Sequence, residues 1–285
     1  MTYANPDALV STEWLAQHMD APDVRVVDAT YFLPNVDRNA REEYAACHIP
    51  GAVFFDIDDV CDSDNPLPHM MPPAEKFTSR VRKMGLGNGN RVVVYDNGGG
   101  MAGCRVWWMF RVFGHDDVAV LDGGLAKWLA EERPVEDMAP APRERHFASR
   151  EDHTLVRTVD QILDNVESGK ELVVDVRAAG RFNGTAPEPR EGMRSGHIPG
   201  AVNLPYEKVL DLDNHRVFRP AEEIAAEVAA AGIDLDRPIV ASCGSGVSAA
   251  VLALGLYLIG HERAAVYDGS WTEWGGREDT PITKD

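Results

Sequence analysis

The chain lacks several features that would place it in other protein classes. None of its 285 residues belongs to an apolar run approaching the length of a membrane span, and its N-terminus has no basic segment followed by an apolar core. Its four cysteines lie far apart without a CxxC pair, which excludes a zinc ribbon and a dense disulfide framework. We therefore predict a globular protein of a reducing compartment, and expect it to be cytoplasmic.

Positive charge is also scarce. The chain carries 28 Lys and Arg against 46 Asp and Glu, for a net charge of −18. Such a negative field disfavours nucleic acid and anionic membranes as partners. An anionic small-molecule substrate would therefore need a local cluster of arginines. We expect no nucleic-acid or membrane partner, and a monomer or weak dimer.

The sequence contains the same domain twice. The motif His-Ile-Pro-Gly-Ala-Val at residues 48–53 recurs at 197–202, and Val-Val-Asp at 26–28 recurs at 173–175. Two further matches pair residues 92–94 with 239–241 and residues 121–124 with 267–270. Three of the four offsets are 146 or 147 residues and the other is 149, so the matches are collinear. A duplicated domain explains this spacing, whereas a short-period solenoid does not.

Each copy alternates short apolar strands with helical patterns. Ser11 and Thr158 are suited to begin helices, and a glycine follows several predicted helix ends. The alternation predicts an α/β fold of two tandem domains, each a mainly parallel sheet flanked by helices. A proline-rich, charged stretch separates the copies. We predict an N-terminal domain over residues 1–137, a linker over 138–153 and a C-terminal domain over 154–285.

One stretch of the second copy carries chemistry. Cys243-Gly244-Ser245-Gly246-Val247-Ser248-Ala249 follows an apolar strand predicted over residues 238–242 and precedes an apolar helix predicted over 251–259. Because its residues are small, successive backbone N–H groups can converge on one point, and the positive end of the helix adds to them. A sulfur held there is stabilised as the nucleophilic thiolate. We predict that Cys243 is a catalytic nucleophile.

The first copy differs at this position. At an offset of 147 residues, Cys243 corresponds to Asp96, which also precedes a glycine-rich loop. A carboxylate can be held by converging N–H groups, but it cannot carry transferable sulfur. We therefore predict that the N-terminal domain is non-catalytic. The other cysteines, Cys47, Cys61 and Cys104, have no such loop and are interpreted as ordinary thiols.

These motifs resemble the two-domain rhodanese-like sulfurtransferases, and the resemblance covers essentially the whole chain. It is carried by the doubled His-Ile-Pro-Gly-Ala motif, the unequal pair of loops, and residues 105–115, which are similar to the family's helix after the inactive loop. Members that use thiosulfate tend to carry basic residues directly after the cysteine. The loop here has instead the form typical of the 3-mercaptopyruvate subfamily, with Ser248 in place of a threonine.

The resemblance implies a set of site residues. In the 3-mercaptopyruvate subfamily two arginines bind the substrate's carboxylate and ketone oxygens, and Arg181 and Arg190 match them. An aspartate, a histidine and the loop serine form a proton relay there, and Asp58, His69 and Ser245 match these three. The loop residues that would cradle the bound sulfur are Gly244, Gly246, Val247 and Ser248.

The activity implied by the resemblance is sulfur transfer. Cys243 would take sulfur from 3-mercaptopyruvate as a persulfide, release pyruvate, and pass the sulfur to a thiol acceptor such as thioredoxin or a small thiol, or to cyanide. No metal or organic cofactor is implied. The nearest alternative is a thiosulfate:cyanide sulfurtransferase that uses the same cysteine. A cysteine phosphatase is disfavoured because Ala249 stands where such a loop needs an arginine, and the third alternative is a non-catalytic binding module or passive sulfur carrier.

Overall fold

The computed structural model of the protein describes residues 2–33 and 35–284. The first half of the chain alternates strands and helices along its whole length. Its elements are β1 (Leu9–Val10), α1 (Thr12–His18), β2 (Val24–Asp28), α2 (Ala40–Ala46), β3 (Val53–Phe54), α3 (Ala74–Lys83), β4 (Arg91–Tyr95), α4 (Met101–Val112), β5 (Val118–Leu121) and α5 (Gly124–Ala130).

The second half repeats this order and inserts a small hairpin. Its elements are β6 (Val156–Arg157), α6 (Val159–Ser168), β7 (Leu172–Asp175), α7 (Ala179–Phe182), β8 (Val202–Asn203), β9 (Leu210–Asp211), β10 (Val217–Phe218), α8 (Ala221–Ala230), β11 (Ile239–Ser242), α9 (Ala249–Leu258), β12 (Ala265–Tyr267) and α10 (Ser270–Trp274). Among the described residues, no helix has the length and hydropathy of a membrane span.

The two halves have the same sheet topology. The strand orders are β1-β5-β4-β2-β3 and β6-β12-β11-β7-β8, and neighbouring strands in both sheets are parallel. Parallel sheets need helices on both faces, which explains the continuous apolar runs in β4 and β11. The predicted fold of two parallel α/β domains is confirmed. The loops after β4 and β11 leave equivalent strand ends, where ligands of such sheets bind.

Side-chain caps mark the two helix starts that the sequence predicted at Ser11 and Thr158. The Ser11 hydroxyl accepts a hydrogen bond from the backbone N–H of Trp14 (3.0 Å), and Thr158 forms a capping box with Gln161. One predicted start was wrong. Helix α9 begins at Ala249, two residues earlier than its apolar run suggested. The small residues before that run are compatible with a helix and leave no local boundary.

The halves share one hydrophobic core. Helices α4 and α9 pack against each other, and the buried Trp107 of α4 contacts the ring of Tyr257 in α9 edge-on at 5.5 Å. Residues 138–152 contain neither helix nor strand, but Phe147 is fully buried against Phe77 of the first half. The connecting segment is therefore packed along the protein surface with one residue anchored in the core, and the two halves hold a fixed cleft between them.

Candidate active site

A cleft of about 310 Å³ lies between the halves. Its floor is the loop after β11, and the segment after β2 of the first half forms part of its wall. Residues that line the cleft include Tyr31, Met101, Arg181, Arg190, Cys243 and Thr272. The cleft therefore combines the cysteine loop of one domain with residues of the other.

Cys243 lies at the carboxyl end of β11 and is 1% exposed. Its backbone N–H donates to the Ser270 hydroxyl at 3.1 Å, and that hydroxyl lies 3.9 Å from the sulfur. The Cys243 carbonyl accepts from the backbone N–H of Trp271 at 3.0 Å. These contacts tie Cys243 to the start of α10, so its position is set by an element that follows it by more than twenty residues.

The backbone of the cysteine loop turns sharply at Gly246. This residue has φ = 76°, in the left-handed region, and a Cβ atom there would lie 2.5 Å from the carbonyl oxygen of Asp268. Only glycine fits without displacing the neighbouring loop. Within the part of the chain that the structure describes, no backbone N–H of residues 244–248 donates to a protein acceptor. These N–H groups are available to an anionic sulfur.

The first half displays what this loop geometry can bind. The Asp96 carboxylate, at the position that corresponds to Cys243, accepts hydrogen bonds from the backbone N–H groups of Gly98 (2.8 Å), Gly100 (2.8 Å) and Gly103 (2.7 Å). An acidic side chain is thus enclosed by converging amides at the N-terminus of α4. On the second loop, an anion carried by Cys243 would take the place of the Asp96 carboxylate oxygens.

Arg181 borders the cleft but is already paired with a carboxylate. Its Nη2 lies 2.5 Å from Oε2 of Glu188, whose other oxygen binds Nη1 of Arg177 at 2.8 Å. Arg177 is buried, forms a forked pair with Asp175 and lies over the ring of Trp271 at 4.1 Å. Helix α7, which carries Arg181, is therefore anchored by a buried ionic network.

Arg190 is connected to the cysteine loop through one hydroxyl. Its Nη1 donates to Oγ1 of Thr272 at 2.7 Å, and that hydroxyl donates to the carbonyl of Gly244 at 2.6 Å. Among residues 2–33 and 35–284, no carboxylate lies within ion-pair distance of Arg190. This guanidinium can therefore offer its remaining donors and its full charge to a carboxylate in the cleft.

The predicted relay is brought together in part. Nδ1 of His69 lies 2.9 Å from Oδ1 of Asp58, and the imidazole is buried while the carboxylate is mostly exposed. Ser245 is 8% exposed on the cysteine loop. The described residues show no hydrogen bond between His69 and Ser245, and both ring nitrogens of His69 are buried without hydrogen-bond geometry to a partner. The structure thus brings Asp58 and His69 within ion-pair distance and leaves Ser245 unlinked to them.

Tyr31 adds a polar group that the sequence did not single out. Its ring meets that of His69 edge-on at 4.8 Å, and the residue lines the cleft. Burial and the charge of Asp58 raise the pKa of Tyr31 to about 12, although Arg190 opposes the shift. Tyr31 is therefore a neutral hydrogen-bond donor at physiological pH. Sequence reasoning also missed Thr272, Ser270 and Arg177, because no motif marks them.

Comparison with known proteins identifies the class. The model of the rhodanese-like domain matches residues 11–131 and again residues 158–277, so the chain belongs to the rhodanese family and carries that domain twice. The chain is 44% identical over 273 residues to 3-mercaptopyruvate sulfurtransferase of Homo sapiens, covering 94% of this chain and 91% of the human protein. It is 43% identical over 274 residues to thiosulfate sulfurtransferase of Bos taurus, with the same coverage of 94% and 91%.

The fold has a matching solved structure. SseA from Escherichia coli, a 3-mercaptopyruvate sulfotransferase, superposes with a TM-score of 0.84 at 37% identity. The superposition covers 93% of this chain and 98% of SseA. A relative named for 3-mercaptopyruvate and one named for thiosulfate are thus about equally similar to this chain. Sequence similarity therefore does not distinguish the two sulfur donors.

Proposed function

We propose that the protein is a sulfurtransferase that takes sulfur from 3-mercaptopyruvate through a persulfide on Cys243. The observation that carries this proposal is the pair of equivalent loops. One encloses the Asp96 carboxylate with three backbone N–H groups, and the other places Cys243 at the same strand end. A loop built to hold a negative charge beside a cysteine suits a persulfide anion.

The first chemical step is attack of the Cys243 thiolate on the substrate sulfur. The new S–S bond forms as the carbon–sulfur bond breaks, and the electron pair of that bond leaves on carbon as the enolate of pyruvate. Arg190 binds the substrate carboxylate, and Arg181 lies beside it to donate to the ketone oxygen where the enolate charge develops. The substrate thiol proton ends on the methyl carbon of pyruvate, so the step is balanced and leaves a persulfide anion.

Proton transfer within this step needs a group that can both accept and donate. Ser245 lies on the cysteine loop, and we assign it the transfer, supported by His69 and Asp58. The 2.9 Å separation of His69 Nδ1 and Asp58 Oδ1 supports this role, because it places the carboxylate within ion-pair distance of the imidazole. The buried Nε2 of His69 lacks a partner among the described residues and is the atom that would bind the serine hydroxyl when substrate is present.

The second step returns the cysteine. A thiol acceptor, such as thioredoxin or a small thiol, attacks the outer sulfur of the persulfide, forms its own persulfide and releases the Cys243 thiolate. All four cysteines are free thiols, which is compatible with a reducing compartment such as the cytoplasm. We propose that the protein works as a monomer or weak dimer.

Thiosulfate is the competing donor, since the bovine relative bears that name. The charges in the cleft favour 3-mercaptopyruvate. Arg181 is paired with Glu188, which leaves Arg190 as the guanidinium without a carboxylate partner among the described residues. One such cation suits the single carboxylate of 3-mercaptopyruvate better than the dianionic thiosulfate. The loop residues Val247 and Ser248 supply no additional positive charge.

The test compares both donors with cyanide as the common acceptor. We expect turnover with 3-mercaptopyruvate to exceed turnover with thiosulfate by at least about tenfold in kcat/KM, the effect of one charged contact. Cys243→Ser should abolish both activities, while Cys61→Ser, at a partly exposed thiol outside the cleft, should keep them. A preference for thiosulfate would refute the donor assignment, and full activity of Cys243→Ser would refute the mechanism.

A further inference from the structure

The duplication places two related loops across the boundary between the halves. The segment of the first half that carries His69 contacts Asp268 of the second half, and Arg216 of the second half lies against Gly99 in the Asp96 loop of the first. The two residues are 147 positions apart (216 − 69), the same offset as between Asp96 and Cys243. Both adopt the left-handed backbone conformation, with φ of 61° at His69 and 59° at Arg216. The segments around His69 and Arg216 are therefore structural counterparts. We call them the crossing loops, because each contacts the opposite half.

Each crossing loop is held by an aspartate of the opposite half. Two residues after His69, the backbone N–H of Met71 donates to Oδ2 of Asp268 at 2.7 Å. Two residues after Arg216, the backbone N–H of Phe218 donates to Oδ1 of Asp122 at 2.9 Å. Asp122 and Asp268 occupy matching positions in the repeat, immediately after β5 and β12. The same contact, in which an aspartate of one half accepts a backbone hydrogen bond from the crossing loop of the other, thus occurs twice. We call it the clamp.

The two clamps differ in one buried residue. Beside Asp268 lies Arg105 of α4, with Nη2 2.7 Å from Oδ1 and a side chain that is fully buried. The same guanidinium donates to the carbonyl of His69 at 2.5 Å and to the carbonyl of Gly246 at 3.2 Å. At the matching place in α9 the chain has Leu252 (105 + 147), which is also buried.

We propose that Arg105 and Asp268 are positioning residues that hold His69 of the first half over the cysteine loop of the second. This inference rests on the proton relay assigned above. Arg105 reaches the His69 carbonyl, the Gly246 carbonyl next to Ser245, and the Asp268 carboxylate with one planar group. It therefore fixes the distance between two members of the relay that belong to different halves.

A purely structural clamp does not require the arginine, as the other crossing shows. Among the described residues, Asp122 has no arginine within ion-pair distance, and burial raises its pKa to about 6 even though the Phe218 N–H and Lys127 lower it. The fold thus tolerates a clamp whose carboxylate lacks an arginine partner where no reaction occurs. A buried arginine paired with the clamping aspartate is found, within the same residues, at the crossing that carries His69.

The experiment compares charge-neutral replacements at the two crossings. The double variant Arg105→Leu with Asp268→Asn removes both charges together, so no unpaired charge stays buried, and its fold should survive. Arg105→Lys keeps a charge but cannot reach the three oxygens at once. Asp122→Asn makes the same chemical change at the matching clamp and is the control. His69→Ala serves as the reference for loss of the relay.

We expect the double variant and Arg105→Lys to lower kcat for pyruvate formation about tenfold or more, towards the roughly 100-fold loss expected for His69→Ala. KM for 3-mercaptopyruvate should stay within about twofold of the original, and Asp122→Asn should leave both constants unchanged. The limb of the pH–kcat profile that His69→Ala removes should also shift in the Arg105 variants, and the solvent deuterium isotope effect on kcat should rise. A merely structural role would alter neither readout.

Two results would overturn the inference, and they distinguish failure of the positioning role from failure of the proton relay. If His69→Ala lowers kcat while the folded double variant keeps the original kcat and pH profile, the positioning role is wrong and the relay stands. If His69→Ala itself has the original kcat, the relay in the proposed function is wrong and the positioning role falls with it. Folding of each variant is checked by circular dichroism and by titration of the Cys243 thiol.

Discussion

Replacing Asp96 by alanine should destabilise the protein by about 3 kcal/mol without changing the chemistry at Cys243. The carboxylate accepts three backbone hydrogen bonds, and each hydrogen bond to a charged group contributes about 1.5–3 kcal/mol. Water can replace the carboxylate at the half-buried Gly98 and Gly100, but the N–H of Gly103 is buried and would lose its acceptor. The burial of the carboxylate itself offsets part of the loss, which gives about 3 kcal/mol rather than the full sum.

The assay is urea unfolding followed by circular dichroism, with turnover measured on the folded protein. Asp116→Ala is the control, because its side chain is 85% exposed and the same change there should cost within about 0.5 kcal/mol. The free energy of unfolding of Asp96→Asn should lie between those of Asp96→Ala and Asp116→Ala. The amide oxygen of the asparagine still accepts a hydrogen bond, while its NH₂ group faces a donor. If Asp96→Ala proves as stable as Asp116→Ala, converging amides do not stabilise an anion at this strand end. The argument for a cradled persulfide would then fail.

Three further predictions address charge. Glu188→Gln frees the Arg181 guanidinium and should raise kcat/KM for thiosulfate relative to 3-mercaptopyruvate by about tenfold in the two-donor assay; an unchanged ratio would contradict the charge argument. Arg190→Ala should raise KM for 3-mercaptopyruvate by about tenfold or more with partial recovery in Arg190→Lys, and an unaltered KM would remove Arg190 from the site. Because burial raises the pKa of Asp122 from 3.8 to about 6, the folded state binds its proton more tightly, so this group's contribution to stability falls as pH rises from 4 to 6. Urea midpoints of Asp122→Asn should show a weaker decline over that window, and identical pH dependence would refute the assignment.

Much of the architecture could be predicted from the sequence because the signals are local. Strand and helix periods, the caps at Ser11 and Thr158, and the glycine at 246 each depend on a few neighbouring residues. The duplication provided a second sequence from which the same order of strands and helices could be predicted. It also singled out Cys243 as the candidate nucleophile, because the two copies differ most informatively where Cys243 replaces Asp96.

The contacts that connect the halves could not be predicted in this way. Arg105 lies inside an apolar helix, where its spacing gives no reason to expect partners at His69, Gly246 and Asp268. These partners lie between 36 and 163 residues away along the chain, and they meet only because α4 packs against α9. Side-chain contacts between distant segments depend on helix rotation and loop reach, which no local pattern records.

The sequence by itself therefore determined the repeated α/β fold, and it predicted the reactive cysteine and the arginine pair. The tertiary structure decided which of those groups already have a charged partner and which remain available. Arg181 is paired with Glu188, whereas Arg190 donates to the neutral hydroxyl of Thr272. The structure also revealed Thr272 as the connection between Arg190 and the cysteine loop. The physical reason is that charge and hydrogen-bonding capacity in a site depend on the partners within about 3 Å, and those partners are set by packing.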